Sequence, residues 1–480
     1  MMGVPILQAL SAAPPEAPVF IGETRVWSAA QVLDEVQVLA HLLQPCRVVA
    51  VLTDNGPPWA IADLACLHAG KVHLPLPGFF TPDQWRHALQ QTATDAVLTD
   101  HPQLVDALGL GFEAVNAWQG LTLMRRRVSA VGLPTATCKI SYTSGSTGQP
   151  KGVCLSAQGL ADTAFAVHER LRDLPLQRHL AVLPLALLLE NVAGIYAPLL
   201  RGAPVNLPGL ARLGWQGIGR LNPAALQACA AQAQAHSLIL VPELLKAWAT
   251  YLAHSGQQAP ESLRYVAVGG AGVQRQLLMQ ARALGLPAYQ GYGMTECGSV
   301  VSLNRPQDDG DDVGRPLAHV QIRVQSGEVR VSSRAFLGYL GGDPHTGEEF
   351  ATGDLGRWDD NGHLRLSGRS KNLIINSFGR NISPEWVESA LLAQAVIAQA
   401  VVYGEGQPHL SALLVPLPGV SDERLAQAVQ ATNDGLPDYA HVQRYRVVEP
   451  FTPMNGLATG NGRPVRAAIF ERHAVALAAD

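Results

Sequence analysis

Short apolar runs recur along the first two thirds of the chain, and each is followed by a stretch of helical spacing. RVVAVLTDNG (47–56) reads as a buried strand ending in a turn, and PWAIADLACLHAG then carries helical spacing before the run KVHLPLP. DAVLTD (95–100) and HSLILVP (236–242) read as further strands, the second followed by the helix ELLKAWATYLAHSG. RYVAVGG (264–270) is a strand running into glycines. This alternation predicts an α/β fold of packed layers with mainly parallel sheets. Ligands in such sheets sit beyond the carboxyl ends of the strands.

After about residue 315 the pattern changes. HVQIRVQSGEVRVSS alternates around SGE like an antiparallel hairpin, and HLRLSG is another short strand. A helix is predicted from Pro384 to about Gln394, then VIAQAVVYG and SALLVPLPG as paired strands. The chain therefore divides into a large N-terminal α/β domain, 1–368, and a small α+β C-terminal domain, 369–480. The hinge falls near SGRSKN, Ser367 to Asn372.

Composition narrows the function classes. A chain of 480 residues exceeds one ordinary core. With 47% hydrophobic and 15% charged residues it is globular rather than disordered. A net charge of -4 gives no field to attract nucleic acid. Cys46, Cys66, Cys138, Cys154, Cys229 and Cys297 form no CxxC pair, which points to small buried thiols in a reduced, cytoplasmic setting. The N-terminal MMGVPILQALSAAPPEAP has no basic flank, so no signal peptide is expected. The apolar run Leu180 to Leu200 is broken by Pro184, Glu190, Asn191 and Pro198, so a strand, turn and helix is expected and not a membrane span.

SYTSGSTGQPKGVCLS (141–156) is the stretch richest in candidate chemistry. It is not a P-loop, because Lys151 lies between Pro150 and Gly152 rather than after a glycine. The physics is similar: Gly145 and Gly148 let backbone N–H groups turn toward an anion. Thr143, Ser144, Ser146 and Thr147 add hydroxyls, and Lys151 adds charge. A solvated linker of the same composition is the plain alternative. The order of residues decides: YTSGSTGQPKGV resembles the phosphate loop of the acyl-adenylate-forming, AMP-binding ligases, closest to acyl-CoA synthetases.

Further motifs follow in that family's order. YGMTE (292–296) resembles its second core motif. The resemblance puts Tyr292 near the adenine, Thr295 at the α-phosphate and Glu296 on Mg²⁺, a hard cation suited to carboxylate oxygen. VGGAG (268–272) would bring Gly270 and Ala271 against the base. TGDLG (352–356) would give Asp354 to the ribose hydroxyls, and GRSKNLI (368–374) would add Arg369 as a second contact and Lys371 as the hinge. SFGRNISPEWVE (377–388) would border a pantetheine tunnel. The region VLPLALLLENVAG implies an acyl pocket with Leu187 and Leu188, joined by Gly291; ordinary core packing is the plain alternative for each leucine. Glu190 is left between a structural role and a Mg²⁺ contact.

The implied reaction is activation of a fatty or aryl carboxylic acid by ATP to acyl-AMP, then transfer to a pantetheine thiol. The acceptor is coenzyme A or the phosphopantetheine of an acyl carrier protein. Two features depart from the family. NGLATGNGRPVRAA puts Arg463 where a catalytic lysine is expected, and arginine keeps the charge but differs in shape. No mid-chain aspartate marks an amine-binding pocket, which argues against α-amino acid substrates. The alternative from another class is a nucleotide-binding protein weakened in catalysis by Arg463. His168, His236 and His363 are not spaced as a metal cluster.

Overall fold

The computed structural model describes residues 5–143, 151–216, 221–308, 312–459 and 462–474. Two large sheets organise the first part. The nine-stranded sheet has a parallel centre made of Val205–Asn206, His179–Leu180, Ser237–Leu240, Tyr265–Val268 and Ala288–Met294. The eight-stranded sheet has a parallel centre made of Ala96–Thr99, Val48–Leu52, Val72–Pro75 and Thr137–Thr143. Strands at the edges of both run antiparallel, so the expected parallel character holds at the centres. One edge is the hairpin Glu113–Trp118/Leu121–Arg125, whose turn residues Gln119 and Gly120 have φ of 47° and 80°. Positive φ at both positions matches the twist of a two-residue hairpin.

A single apolar cluster joins the layers. It takes Val49 and Val51 from one sheet, Phe20 and Val205 from the other, and Trp59, Leu64, Leu160 and Ala164 from helices Pro57–His68 and Ala157–Arg170. All six cysteines are free, and all but Cys138 are buried. Among the described residues no helix is long and apolar enough to cross a membrane.

The run from Leu180 to Leu200 differs from its expected strand, turn and helix. The strand is only His179–Leu180, and the helical part begins as a π-helix, Glu190–Tyr196, before Ala197–Arg201. The wider turn accompanies three buried polar residues. Asn191 and Tyr196 both donate to Asp63 Oδ2, at 2.7 and 2.6 Å, and Asp63 pairs with Lys139 at 2.8 Å. Burial opposes it, but Lys139 and His73, whose Nδ1 lies 2.5 Å from Asp63 Oδ1, hold Asp63 far below the usual carboxylate range.

Beyond these sheets, Gln321–Gln325, Glu328–Ser332, Phe350–Trp358 and Leu364–Arg369 form an antiparallel four-stranded sheet. The last part is α+β. Helix Pro384–Leu392 packs on Ile397–Tyr403 and Leu410–Pro416, an antiparallel pair, with Val442–Val447 parallel to the second strand.

Candidate active site

Strands Tyr265–Val268 and Ala288–Met294 are parallel neighbours whose carboxyl ends open into a cleft of about 3720 Å³. Two backbone features shape its floor. Gly270 has φ +89°, a conformation that side chains rarely adopt. A Cβ at Gly293 would lie 1.7 Å from the Ser299 carbonyl, so only glycine lets the two strands approach. Gly291, Tyr292, Thr295, Glu296, Gly270 and Ala271 all line this cleft.

Lys151 opens the strand Lys151–Ser156 and lies opposite Thr143 across an antiparallel ladder. Both face the cleft. Ser144, Gly145, Ser146, Thr147 and Gly148 lie outside the described residues. On the other side of that strand pairs Phe336–Tyr339. Tyr339 thereby reaches two predicted site residues: its ring lies 5.8 Å from Lys151 Nζ, and its hydroxyl donates to Glu296 Oε1 at 2.9 Å. Burial and the Glu296 charge push the Tyr339 hydroxyl up, so it stays a donor.

A second cluster forms around Asp354. Tyr292 donates its hydroxyl to Oδ2 at 2.6 Å, and Arg369 Nε reaches Oδ1 at 2.8 Å from the adjacent strand, where Asp354 and Arg369 are direct partners. The strand segment before Asp354 is held by Glu328, which accepts from Gly353 N at 3.1 Å. Arg463 comes from the far end of the chain and donates to the Gly270 carbonyl. Lys371 is exposed in a short 3-10 turn, Ser370–Asn372, at the cleft edge.

Leu187, Leu188 and Leu189 line the cleft and also pack into the body clusters, so wall and core are the same surface. Glu190 is not available to a metal ion. It is fully buried, Oε2 accepts from Leu183 N at 2.9 Å, and Oε1 lies 3.2 Å from His179 Nε2. His236 bonds backbone atoms of Pro175 and Gln177 away from the cleft, His168 borders it, and His363 is buried against Asp312. Tyr339 and Glu328 escaped the sequence reading, because their partners lie 43 and 25 residues away. A tyrosine in FLGYLGG has no local signal that its ring lies near Lys151.

A cleft with cations, paired carboxylates and an apolar wall offers the groups a nucleotide and an apolar acid require. The family comparison agrees with that class. A model described as "AMP-binding enzyme" matches residues 7–333, and one described as "AMP-binding enzyme C-terminal domain" matches 371–478. The chain belongs to the AMP-binding enzyme family. Among curated relatives, tyrocidine synthase 3 of Brevibacillus parabrevis is 28% identical over 393 residues, covering 75% of this chain and 6% of that protein. The 2-succinylbenzoate–CoA ligase of Bacillus velezensis is 29% identical over 345 residues, 67% of this chain and 66% of that protein. The matched regions thus span less than two thirds of those relatives. Among solved structures, an anthranilate CoA ligase in complex with anthranoyl-AMP superposes with TM-score 0.83 at 19% identity, covering 99% of this chain and 98% of that one. The O-succinylbenzoate CoA synthetase of Bacillus subtilis with ATP and magnesium gives 0.76 at 23%, covering 96% and 98%. At such identities the likeness is one of fold.

Proposed function

We propose that the chain is an ATP-dependent acid–thiol ligase acting in the cytoplasm, with a body of residues 1–368 and a mobile lid of 369–480. In the first half-reaction a carboxylate oxygen attacks the α-phosphorus of ATP and pyrophosphate leaves. In the second, a thiol sulfur attacks the acyl carbon, AMP leaves, and the thiol proton passes to solvent. The observation that carries this reading is the Arg463–Gly270 contact, which sets a lid cation beside the floor formed by Gly270, Ala271 and Tyr292.

Asp354, steadied by Tyr292 and Arg369, accepts from the ribose hydroxyls. Lys151, with Thr143 and the loop 144–148, holds the outer phosphates, and Thr295 meets the α-phosphate. The buried, cleft-lining carboxylate of Glu296 fits a Mg²⁺ ligand by donor type, and the ion when bound would offset phosphate charge. Leu187, Leu188 and Gly291 border the acyl group, and Lys371 serves the hinge. The leucine wall supports a fatty or aryl acid, since Glu190 beside it is committed to the backbone.

Coenzyme A is the proposed thiol. A carrier-bound phosphopantetheine ends in the same group and is the alternative acceptor. Acid-dependent ATP–pyrophosphate exchange across short-chain, fatty and aryl acids tests the first half. Exchange with one class supports the ligase and identifies its acid; silence across the panel overturns the reading. Release of free acyl-CoA with CoA alone separates the two acceptors.

A further inference from the structure

Among the described residues the apolar clusters do not cross from body to lid. Those of the body end at Leu366, and those of the lid begin at Ile374. Docking of the lid therefore rests on polar contacts. Away from the hinge, two cations reach across in opposite directions. Arg463 points from the lid to Gly270, and Lys246 points from the body to the lid.

Lys246 sits on the body helix Pro242–Ser255, whose first residues Pro242, Glu243 and Leu244 line the cleft. Its ammonium donates to the carbonyls of Leu392, Gln394 and Ile397 at 2.5, 2.9 and 2.8 Å. Three donors meet three acceptors, which saturates the group. The first of these carbonyls ends lid helix Pro384–Leu392, which has no basic residue in its own last turn, the second lies just past its C-cap, and the third opens strand Ile397–Tyr403. A helix C-terminus carries partial negative charge and unsatisfied carbonyls, so it favours a cation there. Here the body supplies that cation.

We propose that Lys246 is a positioning residue for adenylation: it clips the end of the lid helix to the body and so holds Arg463 at Gly270. The inference rests on the reading of Arg463 as the lid cation. Rotation of the lid breaks all three bonds together, so the clip sets the balance between the adenylating pose and the rotated one. It acts through Arg463, since its three ammonium hydrogens go to lid carbonyls.

The test uses the full chain as Lys246→Met, with Lys246→Gln should the first fail to fold and Lys246→Arg as the conservative variant. Spin labels at exposed Ala253 of the body and Ala426 of the lid report the pose without reference to activity. The expected result is a lid distance distribution moved away from that of the native protein. Acid-dependent pyrophosphate exchange falls about tenfold, while thioester formation from supplied acyl-AMP is retained, and Lys246→Arg recovers part of the exchange. An unchanged distance distribution overturns the clip, as does an equal fall in both half-reactions. Should the native protein show no exchange with any acid, the ligase reading fails, and the distance measurement alone still decides whether Lys246 holds the lid.

Discussion

Tyr292 donates its hydroxyl hydrogen to Asp354 at 2.6 Å, and the other oxygen of that carboxylate is held by Arg369 at 2.8 Å. The pair spans 62 residues and joins the YGMTE and TGDLG motifs into one unit. Burial and the Asp354 charge push the Tyr292 hydroxyl up, so it remains a donor throughout the working pH range. Asp354 itself is buried, which makes loss of a partner costly. Tyr292→Phe is expected to raise the KM for ATP about tenfold, roughly 1.4 kcal/mol, with a smaller change in kcat. Initial rates with varied ATP check this; an unchanged KM would take Asp354 out of the nucleotide site.

Lys151 and Tyr339 give a second test. The ammonium lies 5.8 Å from the ring, whose hydroxyl donates to Glu296, so one tyrosine links Lys151 to the proposed Mg²⁺ ligand. In the proposed role of Lys151, Lys151→Ala removes a charge that would meet developing negative charge, and turnover should fall about a hundredfold. Tyr339→Phe keeps the ring but frees Glu296, so it should weaken apparent Mg²⁺ affinity more than it lowers maximal turnover. Rates titrated with Mg²⁺ distinguish the two variants; full turnover in Lys151→Ala would refute the loop assignment.

How much of this was legible follows from the range of each interaction. The parallel centres, the hairpin Gln321–Gln325/Glu328–Ser332 and the helix at Pro384 were readable because their signals are local spacing and turn residues. The glycine at Gly293 was readable within YGMTE, although the reason for it, the Ser299 carbonyl, was not. Glu190 was ambiguous in sequence because a carboxylate after a leucine run fits either a metal or a core. Only the fold shows Leu183 N and His179 taking its two oxygens. Tyr339 and Lys246 were missed for the same reason: each gains its partners through strand pairing or docking far along the chain. The π-helix at Glu190–Tyr196 places Asn191 and Tyr196 against Asp63, more than 120 residues earlier, which no window of periodicity contains.

His319 predicts an acid limb of stability. Its ring lies 3.0 Å from Thr163 Oγ1 on the helix that follows the Lys151 strand, and Nδ1 has no partner. Burial pushes its pKa down to about 4, with Asp162 opposing the shift. The unfolded histidine titrates near 6.5. Between those values the unfolded chain binds a proton that the folded chain does not. The contribution of His319 is thus complete above about pH 6.5 and is lost as pH falls toward about 4. His319→Gln should flatten this part of the stability curve, measured by urea unfolding at several pH values. An unaltered slope between those pH values would show that His319 does not govern it.

Arg463 carries the strongest departure from the family pattern and the most discriminating variant. Its guanidinium donates to the Gly270 carbonyl, so it already stands at the floor of the cleft in this pose. A lysine there keeps the charge and loses the planar fork. If charge at this place is what adenylation uses, Arg463→Lys should retain pyrophosphate exchange within about threefold, and Arg463→Ala should lose about a hundredfold. In the proposed scheme neither should impair thioester formation from supplied acyl-AMP, because lid rotation would carry the residue away before the thiol attacks. A loss of more than tenfold in Arg463→Lys, about 1.4 kcal/mol, would show that the fork itself is required. The bond to Gly270 would then be part of the chemistry rather than a by-product of docking. Retention in both variants would instead remove Arg463 from catalysis and return the lid cation to another residue.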